Sequence, residues 1–112
     1  MNKLAVFVNN EIVFEFDRDL TFVENQLAFF DKMDSDMDSG IKIHGELLVN
    51  PDSQQRATFV VMNLIKALQQ HNEAVISASC AYLVNRHPAL CEVHANDDVD
   101  TVKIELIEEK TN

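Results

Sequence analysis

The sequence predicts an α+β fold: two terminal β-hairpins forming one antiparallel sheet, packed against a central layer of three to four helices. Three observations carry this. Apolar and polar residues alternate at both ends of the chain, over residues 3–17 and 91–108. Apolar residues at helical spacing dominate residues 21–88 between them. Asparagine- and aspartate-rich turns punctuate both terminal segments. The order ββ-αα(α)α-ββ buries every apolar stripe if the hairpins share a sheet and the helices cover one face. A single domain over residues 1–112 is expected, since 112 residues can bury one core without disulfide or metal staples.

In the first hairpin, Leu4, Val6 and Val8 alternate with Ala5 and Phe7, and Ile12, Phe14 and Phe16 alternate with Glu11, Val13, Glu15 and Asp17. Asn9-Asn10 suits a two-residue turn, because asparagine tolerates positive φ. A helix is predicted from Thr21, where Thr21 and Glu24 have capping-box spacing. Val23, Leu27, Phe30, Met33 and Met37 form its stripe, widened by Phe22, Ala28 and Phe29, and Gly40 stops it. Residues 41–49 fit a helix or a strand. A short helix ending before Asn50-Pro51 is the preferred reading, with Gly45 weakening both.

A strong helix is predicted over 53–70, opened by Asp52 with Gln55, with Ala57, Val60, Val61, Leu64 and Leu68 as its stripe. Phe59 and Met62 lie off that stripe, so the helix is either sandwiched between layers or touches another chain. Asn72 caps a helix over 73–86, with Val75, Ile76, Ser79, Tyr82 and Leu83 inward, and Pro88 closes it. In the last hairpin Cys91, Val93 and Ala95 face Val102, Ile104 and Leu106 across an Asn96-Asp97-Asp98 turn, and residues 109–112 are expected to fray.

Composition narrows the function. With 46% hydrophobic and 25% charged residues the chain is globular rather than disordered. Its formal charge of −10 disfavours nucleic acid and anionic membranes and favours a basic protein partner or a divalent cation. The acid concentrates in residues 19–50 and 91–112. No stretch is apolar enough to span a bilayer, and the first residues lack a signal-peptide core. Two cysteines, Cys80 and Cys91, make no disulfide framework, so the cytoplasm is the expected location. Two glycines allow no phosphate-cradling loop, and no nucleophile-elbow motif is present.

The aspartate block Asp31, Asp34, Asp36 and Asp38 is the most unusual segment. On a helix, Asp31, Asp34 and Asp38 share one face. Carboxylates at a helix C-terminus are unfavourable unless cations cover them. Lys42 or His44 could do so internally, and a metal ion or a basic partner externally. Asp34-x-Asp36-x-Asp38 resembles the start of an EF-hand calcium loop. The loop's glycine and bidentate glutamate are each one place late, at Gly40 and Glu46, so that family is not assigned. His87 and Cys91 form a weaker zinc candidate, two ligands short of a structural site. Cys80, in a run of small residues on its helix, reads as core.

By elimination the expected function is non-catalytic: a small acidic interaction or accessory domain, self-associating as a homodimer through Phe59, Met62 and Lys66. The alternative is a divalent-cation-binding protein using Asp31, Asp34, Asp36 and Asp38. No other cofactor is expected.

Overall fold

A computed structural model describes residues 3–97 and 102–109. Strands β1 (Lys3–Val8) and β2 (Glu11–Asp17) are followed by helix α1 (Glu24–Asp38) and a small hairpin of β3 (Ile41–Ile43) and β4 (Glu46–Leu48). Helices α2 (Ser53–Gln70) and α3 (Glu73–Arg86) come next, then β5 (Leu90–Asp97) and β6 (Val102–Glu108). Among the described residues no helix is long and apolar enough to cross a membrane.

The two terminal hairpins do form one four-stranded sheet, in the order β2-β1-β5-β6. The sheet is mixed rather than antiparallel, because β1 and β5 run parallel, with Ala5 opposite Glu92 and Phe7 opposite His94. The reason lies in the helices. α2 and α3 are joined only by His71-Asn72, and the C-terminus of α3 returns to the N-terminus of α2, where His87 meets Ser53. The antiparallel pair thus brings the chain back to the end it left, and β5 enters in the direction of β1.

Local chemistry explains most element ends. Asn9 and Asn10 take φ of 52° and 69°, a tight hairpin turn. Asp52 accepts from Gln55 N while Gln55 Oε1 accepts from Asp52 N, and Asn72 Oδ1 accepts from Val75 N. The box expected at Thr21 does not form. Val23 caps α1 instead, its N–H donating to Gln26 Oε1 at 3.0 Å. Residues 41–49 are a hairpin, not a helix. His44 and Gly45 both adopt left-handed φ, 51° and 80°, which makes a two-residue turn and excludes a helix.

One core joins Leu4, Val6, Val93 and Ala95 of the sheet to the helices and to Ile41 of the small hairpin. α2 buries Ala57, Val60, Val61 and Leu64 as expected, and adds Ile65 and Ala67. Two expected stripes are only partly buried. On α1, Phe30 and Met37 are inside, while Val23, Leu27 and Phe29 face solvent. On α3, Ile76, Ser79, Tyr82 and Leu83 are inside, but Val75 is exposed. Glu109, the first residue of the segment expected to fray, is held in place. That residue donates its N–H to Ala89 O at 2.6 Å and accepts from Arg18 Nη2 at 3.1 Å. Asn96 and Asp97, expected in a turn, are instead the last residues of β5, and Asp98 and residues 110–112 lie outside the described residues.

Candidate functional site

The aspartate block lies within α1, in helical rather than loop conformation. Its cover comes from Arg56 on α2 and Arg86 on α3. Arg86 Nε donates to Asp34 Oδ2 at 3.0 Å and its Nη2 to Asp31 Oδ1 at 2.7 Å. Arg56 Nη1 donates to Asp34 Oδ1 at 3.3 Å and to Asp34 O at 2.9 Å, while its Nη2 reaches Asp38 Oδ1. Tyr82 Oη completes the hub, donating to Asp34 Oδ1 at 2.5 Å. Asp36 stands apart, paired with Lys32 Nζ at 3.0 Å on the surface. The structure therefore brings Asp31, Asp34 and Asp38 together around two guanidinium groups and leaves Asp36 outside.

Electrostatics follow from that arrangement. Burial alone would raise the Asp34 carboxyl, but donation from Tyr82, Arg86 and Arg56 outweighs it and holds the group below the usual aspartate range. Burial and the neighbouring Asp34 charge push the Tyr82 hydroxyl upward, so it stays protonated as a donor. The Arg86 guanidinium also lies 5.8 Å from the Tyr82 ring and 5.9 Å from the Phe30 ring, a cation–π contact on each.

Beside the hub is a cleft of about 320 Å³ lined by Asp34, Ser53, Arg56, Tyr82, Arg86 and His87. Arg56 Nε donates to Pro51 O, and Arg86 Nη1 to Asn85 Oδ1. All three nitrogens of both arginines are thus engaged within the protein, leaving little for an incoming anion. Ser53 Oγ and His87 Nε2 are 3.5 Å apart, at the limit of hydrogen bonding. The hub is an ion-paired clamp that fastens the C-terminal half of α1 to α2 and α3.

Among the described residues, no three His, Cys, Asp or Glu side chains are grouped as a metal ion would require. A cation at the block would compete with Arg56 and Arg86 for Asp31, Asp34 and Asp38. Cys91 Sγ is directed to Ile107 O at 3.4 Å, while His87 faces Ser53. Cys80 is buried, and its thiol is pushed up to about 12, which makes it a poor nucleophile.

The N-terminal half of α1 is different. Phe29, 50% exposed, stands between two adjoining depressions. One, of about 490 Å³, lies among α1, α2 and α3 and includes Met33, Val60, Ala67 and Val75. The other, of about 350 Å³, lies between α1, α3 and the end of β2 and includes Phe16, Leu20 and Phe22. Ala74, Ser77, Ala78 and Ala81 of α3 line this groove. Their small side chains leave room that a larger residue would fill. The uncharged polar lining is Asn25, Gln26, Asn63, Gln70, Asn72, Ser77 and Ser79, and Lys66 is the single charged side chain among the lining residues.

Of the residues expected at an interface, Met62 and Lys66 border one depression and Phe59 lies at another. Phe59 packs half-buried beside Met33 and Met37 of α1, around a depression of about 170 Å³. Met62 lies nearer β6, with Ile65, Gln69 and Val102. Lys66 borders both the Met62 depression and the groove at Phe29. Sequence reading missed Phe29 by assigning it to the buried stripe. It missed Arg56 and Arg86 by looking for cover at Lys42 and His44. Comparison of the chain with models of known families, with characterised proteins and with solved structures gave no match.

Proposed function

We propose that the chain is a non-catalytic interaction domain of a reducing, cytoplasmic compartment that pairs with a second copy of itself through the groove around Phe29. The observation that carries this reading is a half-exposed aromatic ring set in an apolar groove with a nearly uncharged lining. Two copies of a protein with a charge of −10 repel over most of their surfaces. They approach at least cost where charge is lowest, and apolar area lies at the same place. Lys66 at the rim and Glu73 at the start of α3 supply opposite charges that a twofold pairing can match. The free thiols Cys80 and Cys91 support the reducing compartment.

Sedimentation equilibrium over a concentration series tests the pairing. A dimer is expected in the parent, and a folded monomer with Phe29→Asp. A parent that stays monomeric up to about 100 μM overturns the reading. So does a variant that keeps the parent's mass.

A further inference from the structure

We infer that the sheet face turned away from the helices docks a basic amphipathic helix of another protein. This goes beyond self-pairing and does not depend on it, since it concerns a different surface. Alternation along the strands puts Leu4, Val6, Val93 and Ala95 on the core side, so their neighbours face the other way. Two registered rows cross this second face. Glu15, Ala5, Glu92 and Ile107 form one; Ile12, Phe7, His94 and Glu105 form the other. Ala5, Phe7, Ile12 and the His94 ring make the apolar and aromatic part of the face, and Glu92 separates Ala5 from Ile107. Phe7 and His94 stack with ring centroids 4.4 Å apart and planes 1° from parallel, and Ile12 is 51% exposed.

Charge identifies the occupant. Glu15, Glu92 and Glu105 surround the apolar strip, and Asp17 extends the acid along β2. The same face carries two lysines, Lys3 opposite Asp17 and Lys103 opposite Asn96, at its margins. Glu92 Oε1 also accepts from His94 Nε2 at 2.8 Å, which fixes both side chains on the face. An apolar strip flanked by carboxylates complements a helix with aliphatic residues along one side and lysine or arginine beside them. Such a helix would give the sheet a second layer like the one α2 and α3 give its other face. Strand addition fits less well. Edge β2 carries a bulge at Val13, and edge β6 carries Lys103 and Glu105, devices that discourage edge pairing.

The test uses the full chain, nitrogen-labelled, and a leucine–lysine helical peptide of about five turns with leucine on one face. A counterpart peptide with glutamate in place of lysine is the control. Saturable amide shifts centred on Phe7, Ile12, His94 and Ile107 are expected with the lysine peptide alone. Glu15→Gln with Glu105→Gln should weaken binding about fivefold or more. Asp36→Asn with Glu46→Gln removes the same charge elsewhere and should leave the affinity at the parent value. The inference is overturned if shifts centre on Phe29 and Ala78, if both double variants weaken binding equally, or if no saturable binding occurs. Shifts at the groove would support the Phe29 surface as a general docking site and leave the sheet face without a role. A failed dimer test at Phe29 would not touch these outcomes.

Discussion

Tyr82 on α3 donates its hydroxyl proton to Asp34 on α1 across 2.5 Å, and the donor residue is only 2% exposed. This bond, with the two arginines that share Asp34, is the principal polar link between α1 and the helices beneath it. Replacing Asp34 with alanine leaves a buried hydroxyl and two guanidinium groups without their common acceptor. A loss of about 2–4 kcal/mol is expected, read from the urea midpoint. Tyr82→Phe removes one donor and keeps the ring packing, so its cost should be nearer about 1 kcal/mol.

Acid should loosen the same contact. The folded state holds the Asp34 carboxyl below its ordinary value, so the unfolded chain takes up its proton first as pH falls. The stability from this group is therefore present above about pH 4 and lost as pH drops through the folded value. Thermal melts from pH 6 to pH 2 should show a steeper decline in the parent than in Asp34→Asn. Parallel curves would count against the clamp.

At the alkaline end the sign is reversed. Burial raises the Cys80 thiol from 9.0 to about 12 and also raises the Tyr82 hydroxyl. The unfolded chain releases these protons first as pH rises, so stability should fall from about pH 9 upward. Cys80→Ala with Tyr82→Phe should flatten that decline in melts between pH 8 and pH 11, whatever the double change costs at neutral pH.

The arginine clamp also bears on divalent ions. Because Asp31, Asp34 and Asp38 are already held by Arg56 and Arg86, millimolar calcium or magnesium should move the melting temperature by less than about 1 °C. A larger rise, abolished by Asp34→Asn with Asp38→Asn, would show instead that a cation displaces the arginines.

His71 closes α2 in the left-handed region, with φ 55° and ψ 36°. A side chain with a β-carbon is strained there, and glycine is not. His71→Gly should raise stability by about 0.5–1 kcal/mol, measured by chemical denaturation.

Local signals were readable and long-range partners were not. Asn9-Asn10, the Asp52–Gln55 box and Asn72 each act within a few residues, and all three operate as their chemistry predicts. The parallel pairing of β1 with β5 depends on how α2 and α3 return the chain, which no alternation pattern encodes. Gly45 reads in the sequence as a weakness in a regular element, whereas the positive φ of His44 and Gly45 builds a turn. The aspartates of α1 stood out by composition. Their partners did not, because Arg56 and Arg86 lie 22 and 52 residues from Asp34 along the chain. The exposed half of α1 escaped notice for a related reason: periodicity shows that a stripe exists, not whether another element covers it.

The place of β1 in the sheet has a consequence for synthesis. β1 is made well before β5, yet β5, which ends at Asp97, is one of its two flanking strands. Until that strand has left the ribosome, β1 presents a bare row of amide and carbonyl groups beside Leu4 and Val6. A nascent chain stalled before Leu90, or a product truncated there, would carry this adhesive edge with nothing to seal it. Completion of the fold is therefore a late event, and aggregation is the hazard of stopping early.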